Sequence, residues 1–163
     1  MNFNKGNTFI ISIIFIAIIL TFFIFIALIF VGETNSILYN IKLDMYSINK
    51  SAIIAVNKGI TSRERFSYDK KAYKEYFTSM LKKNYNLDDK LNNSDGLVQN
   101  VEVKEYEIIK KGAKDNFTHD ITADSTIHSV IKVKIKPIFF DDLLRDVFTF
   151  VIHEDVALNE MIS

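Results

Sequence analysis

The three histidines of the chain are considered first, because imidazole can bind metal or exchange a proton near neutral pH. They are His119, His128 and His153, and the third is followed directly by Glu154 and Asp155. On a β-strand, His153 and Asp155 share one face and Glu154 takes the other. This triplet could therefore bind a metal ion or share a proton. The alternative, which the sequence favours, is the ordinary solvated face of a strand.

The spacing of the histidines does not indicate a zinc site. A zincin motif requires two His at helical i, i+4 spacing, and no such pair occurs. His119 falls in a polar connection, whereas His128 and His153 fall on separate predicted strands. The chain has no cysteine, which excludes disulfides, thiolate catalysis and Cys-based zinc sites. We therefore predict no catalytic residue, no metal ligand and no cofactor.

Composition and motifs favour a non-enzymatic protein. The chain has no G-x-S-x-G elbow around a serine nucleophile and no Gly-rich phosphate loop. Lys and Arg total 20, as do Asp and Glu, so the formal net charge is zero. Nucleic-acid binding relies on a basic face that displaces counterions from phosphates. The charge balance therefore predicts no nucleic-acid partner.

A long apolar segment near the N-terminus predicts a membrane anchor. Residues 9–31 number 23, and 19 of them are Ile, Phe, Leu or Val, with no charged residue. As a helix the segment would reach about 34 Å, enough to cross a hydrocarbon core of about 30 Å. A cleaved signal peptide has a shorter apolar core and a small-residue cleavage site, whereas residues 29–32 are Ile-Phe-Val-Gly. We predict a retained single-pass anchor in the cell membrane.

The orientation of this anchor is set only weakly by charge. Lys5 lies before the apolar segment, and Lys42 and Lys50 lie after it beside Glu33 and Asp44. These charges are too few for the positive-inside rule to decide. A short N-terminal tail before a long polar C-terminal part is typical of a protein with a cytoplasmic N-terminus. We therefore expect an extracytoplasmic C-terminal domain.

The helical pattern continues beyond the apolar segment. After Gly32, apolar residues recur every three or four positions and form one stripe along a helix. The stripe consists of Ile37, Ile41, Met45, Ile48, Ala52 and Ala55 or Val56. The polar residues between them, including Asn49, are predicted to lie largely on the other face. We predict one nearly continuous helix from about Thr8 to Lys58, with Gly59 just past its end.

The next part of the chain predicts a second helix and a first strand. Asp69 is a suitable N-cap for a helix that ends near Asn84. The apolar face of that helix contains Ala72, Tyr73, Tyr76, Phe77, Met80 and Leu81. Residues 85–96 are rich in turn formers. From Leu97 the period changes to two, and a one-residue slip predicts a β-bulge near residues 104–105.

The clearest strand pattern covers residues 126–136, after a polar connection at residues 112–125. Ile127, Ser129, Ile131, Val133 and Ile135 point one way, and His128, Val130, Lys132, Lys134 and Lys136 point the other. This alternation predicts one buried and one solvated face, as in an antiparallel sheet. Pro137 ends the strand. Residues 140–147 could form a short helix, and residues 148–156 predict a last strand.

Together these elements predict an α+β fold, in which a long N-terminal transmembrane and amphipathic helix packs on a small antiparallel sheet. Residues 1–8 are a short leader or cytoplasmic tail, and residues 9–31 are the transmembrane helix. Residues 32–58 continue it as an amphipathic helix, and residues 59–163 form the extracytoplasmic domain. The simplest packing places the apolar face of the sheet on the stripe of the long helix.

The N-terminal residues resemble a known family. A Lys-Gly pair, Lys5-Gly6, stands directly before the apolar helix, the helix continues as an amphipathic one, and a sheet follows. This arrangement resembles type IV pilin-like proteins, and most closely the TadE/TadF-type minor pseudopilins of tight-adherence (Flp) pilus systems. The family usually has Glu five residues into the mature chain. In this sequence Ile11 stands at that position. Some minor pseudopilins also lack the Glu.

The resemblance implies processing and assembly. A prepilin peptidase would cut after Gly6, so that Asn7 would begin the mature chain. The apolar helix would then pack against other pilin-like subunits in the bilayer, where small and hydroxylated residues favour contact. Those residues are Ser12, Ala17, Thr21 and Ala27. Two alternatives stay open: a bitopic binding or scaffold protein unrelated to pili, which would use residues 34–58 as a coiled coil, and a membrane-tethered enzyme.

Overall fold

A computed structural model describes residues 5–56, 69–136 and 148–158 of the chain. Two helices and three strands follow one another in the order α1, α2, β1, β2, β3. Their bounds are Lys5–Val56 for α1, Lys70–Tyr85 for α2, Val98–Ile109 for β1, Thr126–Ile135 for β2 and Thr149–Ala157 for β3. The chain divides into two compact units, Met1–Leu38 and Tyr39–Ser163.

The first unit contains the apolar half of α1. Most of its large side chains are exposed, with Phe9 at 68% and Val31 at 54%, whereas Ile26 and Phe30 are half-buried. An 18-residue window of this helix has a mean hydropathy of 3.4, and none of that window is buried. The helix is therefore long and apolar enough to cross a membrane. The predicted continuous helix is confirmed to Val56, and its predicted last residues, Asn57 and Lys58, lie outside the described residues.

The second half of α1 contributes to the core of the second unit. Ile41, Met45, Ile48, Ala52 and Ile53 are buried there. The predicted stripe is thus confirmed from Ile41 to Ala52, whereas Ala55 is exposed.

The side assigned to Asn49 from the sequence was wrong. Its side chain is fully buried. It accepts a hydrogen bond from the Tyr73 hydroxyl at 2.7 Å and donates one to Ser129 Oγ at 2.7 Å. These two hydrogen bonds link α1 to α2 and to β2. An amide whose donor and acceptor are both used can lie in an apolar core at little cost.

Helix α2 has the predicted cap and a narrower buried face than predicted. The Asp69 carboxylate accepts hydrogen bonds from the backbone N–H groups of Lys71 and Ala72, which satisfies two donors of the first turn. At the other end, Asn86 adopts the left-handed conformation with φ 51° and closes the helix. The buried residues are Tyr73, Phe77 and Leu81, whereas Tyr76 remains 37% exposed.

The three strands form one antiparallel sheet in the order β1-β2-β3. This arrangement confirms the predicted α+β class. The predicted bulge is present as a register shift between Val103 and Glu105. The short helix predicted at residues 140–147 and the strand end at Pro137 lie outside the described residues.

The solvated face predicted for β2 was wrong for the first half of the strand. Residues 126–131 are all buried, so both faces are covered there, and Lys132 is the first exposed residue. The second face is covered by the connection between β1 and β2, whose Phe117 ring lies 6.4 Å from the His128 ring. An alternating pattern predicts faces, but it does not reveal that a polar connection folds over one of them.

Candidate metal centre

Four metal-binding side chains converge on the covered face of the sheet. They are Asp115, His128, His153 and Asp155, and each offers one ligand atom within 4.8 Å of the other three. We call this group the His/Asp cluster. Its members come from β2, from β3 and from the connection that precedes β2.

The pairing of β2 with β3 places three of the four residues. His128 lies directly opposite Asp155 in the antiparallel register. His153 precedes Asp155 by two residues, so it lies on the same face and diagonal to His128. Cross-strand neighbours at these positions are close enough for their side chains to touch. The register alone therefore brings two imidazoles and one carboxylate together.

The fourth residue, Asp115, is positioned by a tight turn in the connection. The backbone N–H of Asp115 donates to Asp120 O, and the N–H of His119 donates back to Asp115 O, both at 2.9 Å. His119 has φ 65°, a left-handed conformation that the turn requires and that His adopts more readily than most residues. The turn holds Asp115 over β2 with its side chain 1% exposed.

The two carboxylate oxygens of Asp115 have different surroundings. Oδ1 accepts hydrogen bonds from the backbone N–H groups of Phe117 at 2.6 Å and Thr118 at 3.1 Å. Oδ2 lies 3.4 Å from His128 Nδ1 and 3.6 Å from His153 Nε2. Oδ2 is buried, and it has no hydrogen-bond partner in the described part of the chain.

The other three ligand atoms form a nearly equilateral triangle. His128 Nδ1 and His153 Nε2 each lie 3.0 Å from Asp155 Oδ1, and the two nitrogens are 3.1 Å apart. The Phe117 ring stacks on the His153 ring with centroids 4.6 Å apart. The cluster is thus compact and has an aromatic cover.

With both imidazoles neutral, hydrogen bonds alone do not satisfy this triangle. A neutral imidazole nitrogen carries either one N–H or one lone pair. If both nitrogens donate to Asp155 Oδ1, two N–H groups converge on one oxygen and their nitrogens lie only 3.1 Å apart. If one nitrogen donates to the other, the acceptor places its lone pair against the carboxylate at 3.0 Å. With neutral rings, either arrangement leaves one close contact repulsive.

The charge state of Asp115 suits a metal ligand. Burial alone would raise its pKa, but the two backbone N–H donors, the contact with Asp155 and the neighbouring His128 outweigh this effect and lower the pKa to about 2. An ionised carboxylate is the form that binds a cation. Asp115 Oδ2 is therefore available to a cation beside the other three ligand atoms.

Five of the six distances between the four ligand atoms are close to those of tetrahedral coordination. Ligands that lie 2.0–2.2 Å from a tetrahedral ion are separated from one another by about 3.3–3.6 Å. The five distances quoted above range from 3.0 to 3.6 Å. The sixth pair, Asp115 Oδ2 and Asp155 Oδ1, lies within 4.8 Å, so side-chain shifts would bring all four atoms to one ion.

The sequence identified three of these four residues as candidates. The predicted shared face of His153 and Asp155 is confirmed, and His128 joins them, whereas His119 is exposed and outside the cluster. Asp115 was missed, because its only signal is an Asp in a turn-rich stretch. The prediction of no metal ligand stays a prediction, and the cluster argues against it.

Glu154 takes the opposite face of β3, as predicted. Its carboxylate lies 3.6 Å from Lys42 Nζ of α1, and its side chain is 12% exposed. Burial raises the pKa of the Glu154 carboxyl, although Lys42 partly offsets this. Glu154 therefore belongs to the face that contacts α1, and it is not a member of the His/Asp cluster.

The residues singled out near the N-terminus all lie on α1. Gly6 and Asn7 are in its first turns. Ser12, Ala17, Thr21 and Ala27 are exposed, and the Thr21 hydroxyl donates to Ala17 O at 2.8 Å. At about 100° per residue these four positions spread over roughly half of the helix circumference. They therefore form a broad surface and not a single narrow stripe.

No protein-family model, no curated protein and no solved structure matches the chain. Function is therefore inferred from the residues and their geometry.

Proposed function

We propose that this chain is a membrane-anchored, non-enzymatic pilin-like subunit, of the minor pseudopilin type, in a pilus or secretion assembly. One observation carries the proposal. Helix α1 runs without interruption from Lys5 to Val56, with an exposed apolar first half and a second half that enters the core of an α+β domain. A TadE-like minor pseudopilin requires this division of one helix into an assembly part and a domain part.

The exposed apolar half of α1 requires a cover. Each Å² of apolar surface left in water costs roughly 25 cal/mol, and large side chains such as Phe9 and Leu28 are more than half exposed. A bilayer provides that cover, with the N-terminus in the cytoplasm and the domain outside the cytoplasm. In the bilayer, close packing against other subunits would use the surface that contains Ser12, Ala17, Thr21 and Ala27.

The second half of α1 favours this function over a coiled-coil scaffold. Ile41, Met45 and Ile48 are buried within the domain at 0–2% exposure. A stripe that is already covered by its own domain is not available to a partner helix. The alternative function, a bitopic binding protein unrelated to pili, would therefore have to use another surface of the domain.

The proposal names two kinds of partner. A prepilin peptidase would cut between Gly6 and Asn7, and other pilin-like subunits would contact residues 7–31. Neither role requires a catalytic residue in this chain, in agreement with the absence of a recognised catalytic motif from the sequence.

N-terminal processing tests this function. The intact mass of the protein from its native membrane should correspond to a chain that begins at Asn7. The variant Gly6→Leu should remain full length. Gly32→Ala is the matched control, because a Cβ at Gly32 meets no atom within 4 Å, and it should be cut normally. A wild-type chain that begins at Met1 or Asn2 would reject the pilin-like function in favour of the anchored binding protein.

A further inference from the structure

We propose that the His/Asp cluster binds one Zn²⁺ ion per chain in tetrahedral coordination. The ligand residues are those of the cluster, and the atoms that approach one another are His128 Nδ1, His153 Nε2, Asp115 Oδ2 and Asp155 Oδ1. The bound ion fixes the connection between β1 and β2 onto the sheet. This site does not depend on the pilin-like function, because all four ligands lie in the unit Tyr39–Ser163.

The donor set selects the metal. Two imidazoles with two carboxylates suit first-row divalent transition metals, whereas Mg²⁺ and Ca²⁺ prefer six or more oxygen ligands. Zn²⁺ takes four ligands in a tetrahedron and accepts both His nitrogen and Asp oxygen. Cu²⁺ favours a square-planar arrangement. Five of the six separations between ligand atoms are 3.0–3.6 Å and all are within 4.8 Å, so the four atoms can surround one ion.

The unpaired oxygen of Asp115 is an independent indication of a cation. Its side chain is 1% exposed, and within the described residues Oδ2 faces the two imidazole nitrogens without a hydrogen bond. A buried ionised oxygen without a partner is costly. In their metal-binding forms two carboxylates and two imidazoles balance the charge of one divalent ion. The same ion replaces the repulsive contacts among the other three ligand atoms with bonds.

The site fits a structural ion better than a catalytic one. Catalytic zinc keeps a position open for water or substrate, whereas structural zinc has four protein ligands. Here the fourth position is taken by Asp115, and Phe117 stacks over His153. Three ligands come from paired strands and one from the connection, so the ion would join the connection to the sheet.

Metal content of the full chain tests the proposal. The protein is purified in detergent without a polyhistidine tag, treated with a chelator, and titrated with ZnCl₂ while bound metal is measured by mass spectrometry and calorimetry. We expect one Zn²⁺ per chain. Co²⁺ in place of Zn²⁺ should give the intense visible absorption of a tetrahedral ion. A weak octahedral spectrum, or binding below one ion per chain, would overturn the proposal.

A matched pair of substitutions locates the ion. His153→Asn should lower Zn²⁺ affinity at least about 100-fold, because even partners outside the first coordination shell are worth 10–100-fold. His119→Asn removes an exposed histidine from the same region and tolerates the left-handed backbone, so its affinity should be unchanged. Asp115→Asn should lose affinity, and Asp120→Asn should retain it. Equal affinity in all four variants would reject the site.

Amide hydrogen exchange separates loss of metal from loss of folding. In the metal-free wild type, Zn²⁺ should slow exchange in residues 112–125 and leave exchange in α2 unchanged. His153→Asn should keep the exchange pattern of metal-free wild type and show no response to Zn²⁺. A folded wild type whose connection does not respond to Zn²⁺ would refute the structural role. These results are independent of cleavage at Gly6, so this proposal and the pilin-like function can fail separately.

Discussion

The two faces of the sheet bury polar side chains in different ways. On the face that contacts the helices, Asn49 accepts from the Tyr73 hydroxyl and donates to Ser129 Oγ, and Ser129 Oγ donates to Glu154 O at 3.3 Å. On the other face, the His/Asp cluster is equally compact, but its contacts conflict. The first network consists of neutral hydrogen bonds with matched donors and acceptors, whereas the second has converging ligand atoms and a carboxylate oxygen without a hydrogen bond within the described residues. Neither burial nor a single unpaired oxygen identifies a ligand site, because Glu154 Oε2 also lacks a hydrogen bond within the described residues. The convergence of four ligand atoms does.

The response to metal should distinguish the two faces most strongly. Zn²⁺ at a thousand times its dissociation constant should raise the free energy of unfolding of the wild-type chain by about 4 kcal/mol. Chemical denaturation of the full chain in detergent, with Zn²⁺ or with chelator, measures this difference. His153→Asn, whose affinity is expected to be at least about 100-fold lower, should gain no more than about 1.4 kcal/mol under the same conditions. A stabilisation as large as that of the wild type in that variant would mean that Zn²⁺ acts elsewhere.

The hydrogen bonds that join Asn49 to Tyr73 and Ser129, here called the neutral network, should contribute to stability without any response to metal. Asn49→Ala removes two buried hydrogen bonds and leaves a cavity, so the free energy of unfolding should fall by about 3 kcal/mol. The Zn²⁺-induced stabilisation should be the same in this variant as in the wild type, because Asn49 lies on the opposite face. Denaturation with and without Zn²⁺ measures both quantities. A lost response to Zn²⁺ would show that the two faces are not independent.

A smaller change tests one hydrogen bond of the neutral network. Tyr73→Phe retains the ring, which stacks on Phe77 with centroids 6.0 Å apart, and removes the hydroxyl that donates to Asn49. The expected loss is about 1 kcal/mol in the free energy of unfolding. Tyr76→Phe is the control, because Tyr76 is 37% exposed, and it should change stability by less. Equal losses in the two variants would contradict the role of the buried hydroxyl.

The smallest effect is expected at the ion pair between Lys42 and Glu154. Lys42 is 57% exposed, and its Nζ lies 3.6 Å from the Glu154 carboxylate, so Lys42→Ala should cost only about 0.5 kcal/mol. The Zn²⁺ affinity of this variant, measured by calorimetry, should equal that of the wild type. A lower Zn²⁺ affinity would show that removing the partner of Glu154 alters the adjacent ligand Asp155.

Local patterns in the sequence predicted much of this fold. The apolar segment and stripe predict α1, Asp69 predicts the start of α2, and the broken alternation predicts the bulge near Glu105. Alternation also placed His153 and Asp155 on one face. Each of these features depends on residues close together in the chain, where helical or strand periodicity is informative.

The rest depends on contacts between distant residues. The pairing of His128 with Asp155 requires the register of β2 against β3, which no local pattern specifies. The burial of Asn49 depends on Tyr73 and Ser129, which meet it only in the folded chain. The position of Asp115 depends on how the polar connection folds back. The sequence therefore showed three of the four ligand residues as candidates, but it did not show that the folded chain brings them together with Asp115.

The separation of the four ligands along the chain has a consequence for the unfolded state. Asp115, His128 and His153 are far apart in sequence, so an ion that holds them together closes two loops of the polypeptide. A covalent cross-link that closes a loop of about 15 residues is worth about 3 kcal/mol through the conformational entropy that it removes. This chain has no cysteine. A bound ion would give it a reversible cross-link that depends on the concentration of free metal and not on redox conditions.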